Sequence, residues 1–157
     1  MEDITQYARL DVTHRGVERG SAWATLIARL LLAIPTVAAA LWKLFTLGPF
    51  VQTRQFYVIP LGSSMIPVWF RWLVGYPVPF VELIAGGMLL LGTQTRGALL
   101  AIAATIIVSA LGTSAHDPIQ YLPIQLLPRI ALLLYLLVMP ESGDRWSLDA
   151  WLERRGI

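Results

Sequence analysis

Four ionisable side chains lie inside otherwise apolar stretches of this 157-residue chain: Arg29, Lys43, Glu82 and Arg129. A charge at the centre of a membrane helix costs about 2.5–3.5 kcal/mol on insertion scales, so it is retained with a partner or a task. Glu82 stands near the middle of the run Pro77 to Gly92. A carboxylate in such surroundings can accept or relay a proton, which makes Glu82 the candidate catalytic group. Arg29, Lys43, Glu82 and Arg129 together form the candidate ligand-binding set. Arginine holds paired oxygens with two donors at once. An interior with surplus positive charge therefore suits an anion, an acidic lipid headgroup or the oxygens of a quinone-like ring.

Several chemistries are excluded or disfavoured by what the chain lacks. There are no cysteines, which removes disulfides, thiolate metal ligands and a dithiol redox motif. His14 falls in the polar start and reads as a solvated histidine. His116 is the only histidine near the apolar runs; it reads as a loop residue, with a proton relay as its sharper alternative. One histidine cannot supply paired axial haem ligands or a histidine-rich metal cluster, so no metal and no covalently bound cofactor are expected. A net charge of +2 and a pI near 9.3 do not point to nucleic acid, because the basic residues are dispersed rather than striped.

Composition names the elements that must position these charges. Apolar residues make up 56 % and charged residues 14 %, with a mean hydropathy of +0.63. Soluble domains lie nearer 45–50 % and about 25 %. The chain has room for one domain, and four membrane passes would use most of it. The expected fold is all-α: a four-transmembrane-helix bundle with spans at about 22–45, 67–92, 98–113 and 119–139. A polar cytoplasmic tail (1–21), partly helical around Ile4, Tyr7 and Ala8, precedes it. A cytoplasmic tail (140–157) follows, with Ser147 as N-cap of a short interfacial helix.

Within this frame Pro35 should kink the first span, and Ala38, Ala39 and Ala40 offer a face for close helix approach. The long first extracytoplasmic loop, Thr46 to Ile66, is too aromatic for a floppy linker and should lie on the membrane surface over the mouth of the bundle. Trp69, Trp72 and Tyr76 read as an interfacial belt around Arg71. Pro77 and Pro79 interrupt the second span one turn before Glu82, leaving backbone acceptors nearby. The third span carries no charge and reads as packing. Pro123 and Pro128 flank the approach to Arg129, which sits at the midpoint of the fourth span. From there a snorkelling side chain would have to cross roughly 15 Å, more than it can reach. Lys43, one turn from the end of its span, can snorkel or serve the site, and Arg29 can reach the headgroups or the interior.

The arginines set the orientation. Arg9, Arg15, Arg19, Arg96, Arg145, Arg154 and Arg155 fall on one side; Arg54 and Arg71 fall on the other. The positive-inside rule then places both termini in the cytoplasm. Glu82 and Arg129 lie at similar depths on helices running the same way, so they are expected to pair, with Arg29 joining from the cytoplasmic side. The plainer alternative is that this pair only registers helix packing while Arg29 and Lys43 serve the interfaces.

A set of features carries a family resemblance: Arg29 opening the first span, Lys43 and Leu44 at its end, and Val81, Glu82 and Leu83 before Gly86 and Gly87. Leu89 to Gly92, Thr95 and Arg96, Arg129, and the run Gly143 to Asp149 (Gly-Asp-Arg-Trp-Ser-Leu-Asp) complete it. Over about residues 24 to 150 the chain resembles the DoxX family of small four-helix membrane proteins. Ala40 departs from the pattern, standing where a glycine is expected, which would loosen helix contact there. The resemblance implies a prokaryotic inner membrane and a polar core of Arg29, Glu82 and Arg129. It further implies a link to quinone-coupled oxidoreduction or redox-protective complexes. The expected function is a membrane redox subunit that binds quinone or a small anion, with a membrane or redox protein, or further copies of itself, as partner. The alternative is a non-enzymatic accessory or scaffold subunit, or a small-solute carrier.

Overall fold

The computed structural model describes residues 2–114 and 126–138. Among these there is no strand. Six α-helices follow in order: α1 (Glu2–Leu41), α2 (Pro49–Thr53), α3 (Val68–Gly75), α4 (Val78–Leu91), α5 (Thr95–Ser114) and α6 (Leu127–Val138). Two wider, π-helical turns, Trp42–Leu47 and Arg54–Val58, join α1 to α2 and extend α2. His116, Pro123 and the tail from 140 onward, with its expected interfacial helix, lie outside the described residues.

The first helix differs from the expected tail-plus-span. It runs without a break from Glu2 through Pro35 to Leu41, so the polar start is a continuation of the first apolar helix. Its two faces have opposite characters. Ala22, Thr25, Ala28, Arg29, Leu32, Ala33, Thr36 and Ala40 are buried, at the three- and four-residue spacing of one helical face. Trp23, Ile27, Leu31 and Ile34 are exposed. Small and hydroxylated residues face inward, and large apolar ones face outward. In water so large an exposed apolar surface would be a liability; in lipid it is the expected arrangement, with small residues allowing helices to approach closely. Thr25 and Thr36 satisfy their hydroxyls within the helix, donating to the Ser21 and Leu32 carbonyls at 2.9 and 2.7 Å.

The same inversion recurs in α4, where Phe80, Ile84 and Leu91 are exposed, and in α5, where Leu100, Ile107 and Leu111 are. Three helical stretches, Gly20–Leu47, Val68–Leu91 and Thr95–Gly112, are long and apolar enough to cross a membrane. The described part of α6 is apolar but shorter. These features are those of a helical membrane protein, with three candidate crossings among the described residues.

Packing follows a simple order. Helix α1 lies against α4 and α6, α4 against α5, and α5 against α6. The core between them is built from Leu32, Leu89, Leu99 and Ile102, with Ala28, Ala33, Ala85, Ala98, Leu133 and Leu136. Gly86 permits the tight α1–α4 contact, since a Cβ there would stand 2.8 Å from the Val37 Cγ2. Ala40 is completely buried on the inner face of α1.

The second span is jointed. Pro77 stands at the N-cap of α4, between α3 and α4. The Tyr76 amide still donates to the Trp72 carbonyl and the Val81 amide to the Pro77 carbonyl, so a regular ladder resumes on each side. Pro79 is fully buried, which makes the joint a packed one.

Candidate functional site

Glu82 lies one turn into α4, just after the proline joint. Its partner is not Arg129. Lys43 Nζ donates to Glu82 Oε2 at 2.6 Å, with the lysine side chain 18 % exposed and the glutamate 7 %. Lys43 stands in the π-helical turn that prolongs α1, and that turn packs on α4. Because α1 and α4 are direct neighbours, the lysine leaving α1 meets the carboxylate entering α4. π-Helical turns recur at functional sites because they redirect side chains that a regular helix would hold elsewhere. Here the turn carries the cation.

The expected pairing with Arg129 is therefore corrected. Arg129 is half-buried near the start of α6, and α6 packs on α1 and α5 rather than on α4. Arg29 does not join either. It is 2 % exposed on the inner face of α1, fourteen residues before Lys43 in the chain, which at ~1.5 Å per residue puts it about 21 Å away along the axis. Among the described residues the site gathers one acid and one base. Its net charge is balanced rather than positive.

Beside the ion pair lies a second polar group that the sequence did not single out. The segment expected on the membrane surface is largely helical and turns inward. Gln52, Thr53 and Tyr57 are buried in it. The Tyr57 hydroxyl shares a hydrogen bond with Ser109 Oγ of α5 at 3.2 Å, and the Gln52 side chain favours its ionised form. Thr53 Oγ1 lies 3.3 Å from Gln52 Oε1 and 2.8 Å from the Pro49 carbonyl, to which it donates. Burial pushes the Tyr57 hydroxyl up to about 12; the Ser109 hydrogen bond opposes this, and the nearby Glu82 charge adds to it. Tyr57 thus remains a proton-bearing donor across the neutral range, close enough to Glu82 to feel its charge.

Two glycines make room for this tyrosine. A Cβ on Gly75 would stand 2.7 Å from the Tyr57 ring, and one on Gly112 would stand 2.6 Å from the Phe56 carbonyl and 3.1 Å from the ring. Arg71, expected within an aromatic belt, is instead 7 % exposed. Its Nε donates to the Ile66 carbonyl at 2.9 Å, and its terminal nitrogens donate to the carbonyls of Val58 and Ser64 at 3.2 and 3.3 Å. Trp69 and Tyr76 are exposed as the belt requires, while the Trp72 ring packs on Phe50 with centroids 4.6 Å apart. The only sequence signals for this second group were polar residues, Gln52 and Ser109, within apolar or aromatic surroundings.

Among the described residues no group of three or more histidine, aspartate or glutamate side chains could hold a metal ion. No protein-family model, curated protein or solved structure matches the chain.

Proposed function

We propose that this chain is a DoxX-like integral membrane subunit of a redox system, holding a quinone at the Lys43–Glu82 site. The observation that carries the reading is the buried ion pair itself. A lysine and a carboxylate kept in contact within apolar helices cost desolvation energy that the packing alone does not require. The neutral balance of the site favours a quinone over an anion, since among the described residues no surplus cation stands at Glu82. The residues fit such a ring: Lys43 and Tyr57 offer donors to carbonyl oxygens, Gln52 and Ser109 can orient Tyr57, and Glu82 can take up or pass on a proton. A bound quinone would supply the electron-carrying chemistry that side chains of this chain lack.

The same reading makes α6 part of a fourth crossing, so that α1, α4, α5 and α6 form a four-helix bundle. It places both termini in the cytoplasm of a prokaryotic cell, as the arginine distribution favours. The polar site then opens toward the outer face, beneath residues 48–66.

The test is purification in mild detergent, solvent extraction and mass spectrometry of the extract. Wild-type protein should carry quinone near one per chain, and folded Lys43→Gln or Glu82→Gln protein much less. Wild-type protein with no more quinone than an unrelated membrane protein prepared alongside would overturn the reading. A protein that co-purifies in its place would favour the accessory-subunit alternative.

A further inference from the structure

Within residues 49–76, α2 and α3 both pack on the second π-helical turn. Arg71 of α3 grips the Val58 carbonyl at the end of that turn and the Ser64 and Ile66 carbonyls of the loop after it, and Phe50 packs on Trp72. A Cβ on Gly75 would meet both Tyr57 and Thr53 within 2.9 Å. These contacts join α2, the second π-helical turn, the loop and α3 into one cap. Each stem of the cap has a joint. Gly48 has φ +81° with ψ 142°, in the left-handed half of backbone space that glycine alone enters readily. Nothing stands within 4 Å of its missing Cβ, so conformation rather than space requires the glycine. The other stem is the Tyr76–Pro77 break between α3 and α4.

Lys43 and Glu82 occupy matching places on these stems. Lys43 lies five residues before Gly48, and Glu82 five residues after Pro77. The 2.6 Å ion pair therefore ties the two stems together at the base of the cap. At its other side the cap is attached to α5 through Tyr57, whose hydroxyl meets Ser109 and whose ring lies over Gly112.

We infer that residues 49–76 form a hinged gate over the Lys43–Glu82 pair, turning about Gly48 and Tyr76–Pro77 and latched to α5 by the Tyr57–Ser109 hydrogen bond. The Arg71 contacts keep the gate folded as it moves. A ligand oxygen that competes for Lys43 loosens the stems, so occupancy of the site and opening of the gate are coupled. The gate regulates the site of the proposed function, but its test does not depend on quinone.

The probe is a water-soluble carbodiimide applied to quinone-stripped protein in detergent, with modification of Glu82 followed by peptide mass spectrometry. It counts either an added amine or a Lys43–Glu82 amide, which forms with loss of one water taken up by the carbodiimide as it becomes a urea. Ser109→Ala removes the part-buried hydrogen bond to Tyr57, worth about 0.5–1.5 kcal/mol. If closing depends on that bond, Glu82 should react about two- to tenfold faster in Ser109→Ala. Tyr57→Phe should give a similar gain, and the double variant no more than the larger single. Hydrogen exchange in α1 and α4 should stay at wild-type levels, which separates gate opening from unfolding. Wild-type reaction rates in both single variants would overturn the gate. So would faster reaction accompanied by equal loss of protection throughout α1 and α4.

Discussion

The Lys43–Glu82 contact makes a quantitative prediction through a double-mutant cycle. At an effective dielectric of about 20, opposite charges 4 Å apart attract by about 4 kcal/mol, and this pair is closer, at 2.6 Å between Nζ and Oε2. Desolvation offsets much of that attraction, so replacing both partners together should cost little beyond lost packing. Removing one partner leaves an uncompensated buried charge, which costs about 3–5 kcal/mol in closed interiors. Lys43, at 18 % exposure, can swing its stem toward the interface when Glu82 becomes glutamine. Glu82, at 7 % and inside α4, has no such escape when Lys43 is replaced. The expected costs are therefore about 3 kcal/mol for Lys43→Gln, about 2 for Glu82→Gln and about 2 for both, a coupling near 3 kcal/mol. Unfolding in mixed micelles, followed by the fluorescence of the six tryptophans, measures all three. Additive single costs, or a larger loss for Glu82→Gln than for Lys43→Gln, would refute the reasoning. Arg129→Gln serves as control, and should show no coupling to Glu82→Gln.

Three further outcomes are expected. Gly112→Ala should destabilise by about 1–3 kcal/mol through overpacking, because its Cβ would stand 2.6 Å from the Phe56 carbonyl. Gly87→Ala should be neutral or stabilising by up to about 1 kcal/mol, because nothing lies within 4 Å there; the same micelle titration compares them. Tyr57 rises from 10.0 to about 12 in the folded protein, so its contribution is fully present below pH 10 and is lost as pH climbs from 10 toward 12. That loss is roughly 2–3 kcal/mol by linkage, and it should appear as a fall of that size in the stability difference between wild type and Tyr57→Phe over this pH range. Finally, the absence of native cysteines allows single-cysteine mapping. An impermeant maleimide should label Met65→Cys in intact cells, and Gly97→Cys only after permeabilisation; the reverse order would invert the proposed topology.

Much of the architecture was legible because it depends on local chemistry. Runs of apolar residues long enough for a bilayer appear as helices wherever they were expected within the described residues. The Pro77 joint fell where proline forbids a continuous ladder. Glu82 is buried, as its apolar neighbours on both sides required. The helix preceding residue 22 was less legible, since its polar composition resembles that of a solvated tail and its helicity follows from continuity with α1.

The partner of Glu82 illustrates what local chemistry leaves open. Depth along the membrane normal placed Arg129 and Glu82 at one level, and the three cations Arg29, Lys43 and Arg129 could be ranked only by depth. Which cation reaches the acid depends on which helices are neighbours. The α1–α4 contact through Gly86 and Val37, together with the wide turn at Trp42–Leu47, brings Lys43 to the carboxylate; α6 packs elsewhere. Tyr57 and Ser109 are fifty-two residues apart, and no periodicity links a loop tyrosine to a serine on a distant helix. Burying Tyr57 needed two glycines, Gly75 and Gly112, that looked unrelated in the chain. The sequence by itself determined the apolar helices, the joint and the burial of one acid, because these follow from each residue and its near neighbours. The tertiary structure decided the partner of that acid and the polar group beside it, because both depend on helix adjacency and on space between elements distant in the chain.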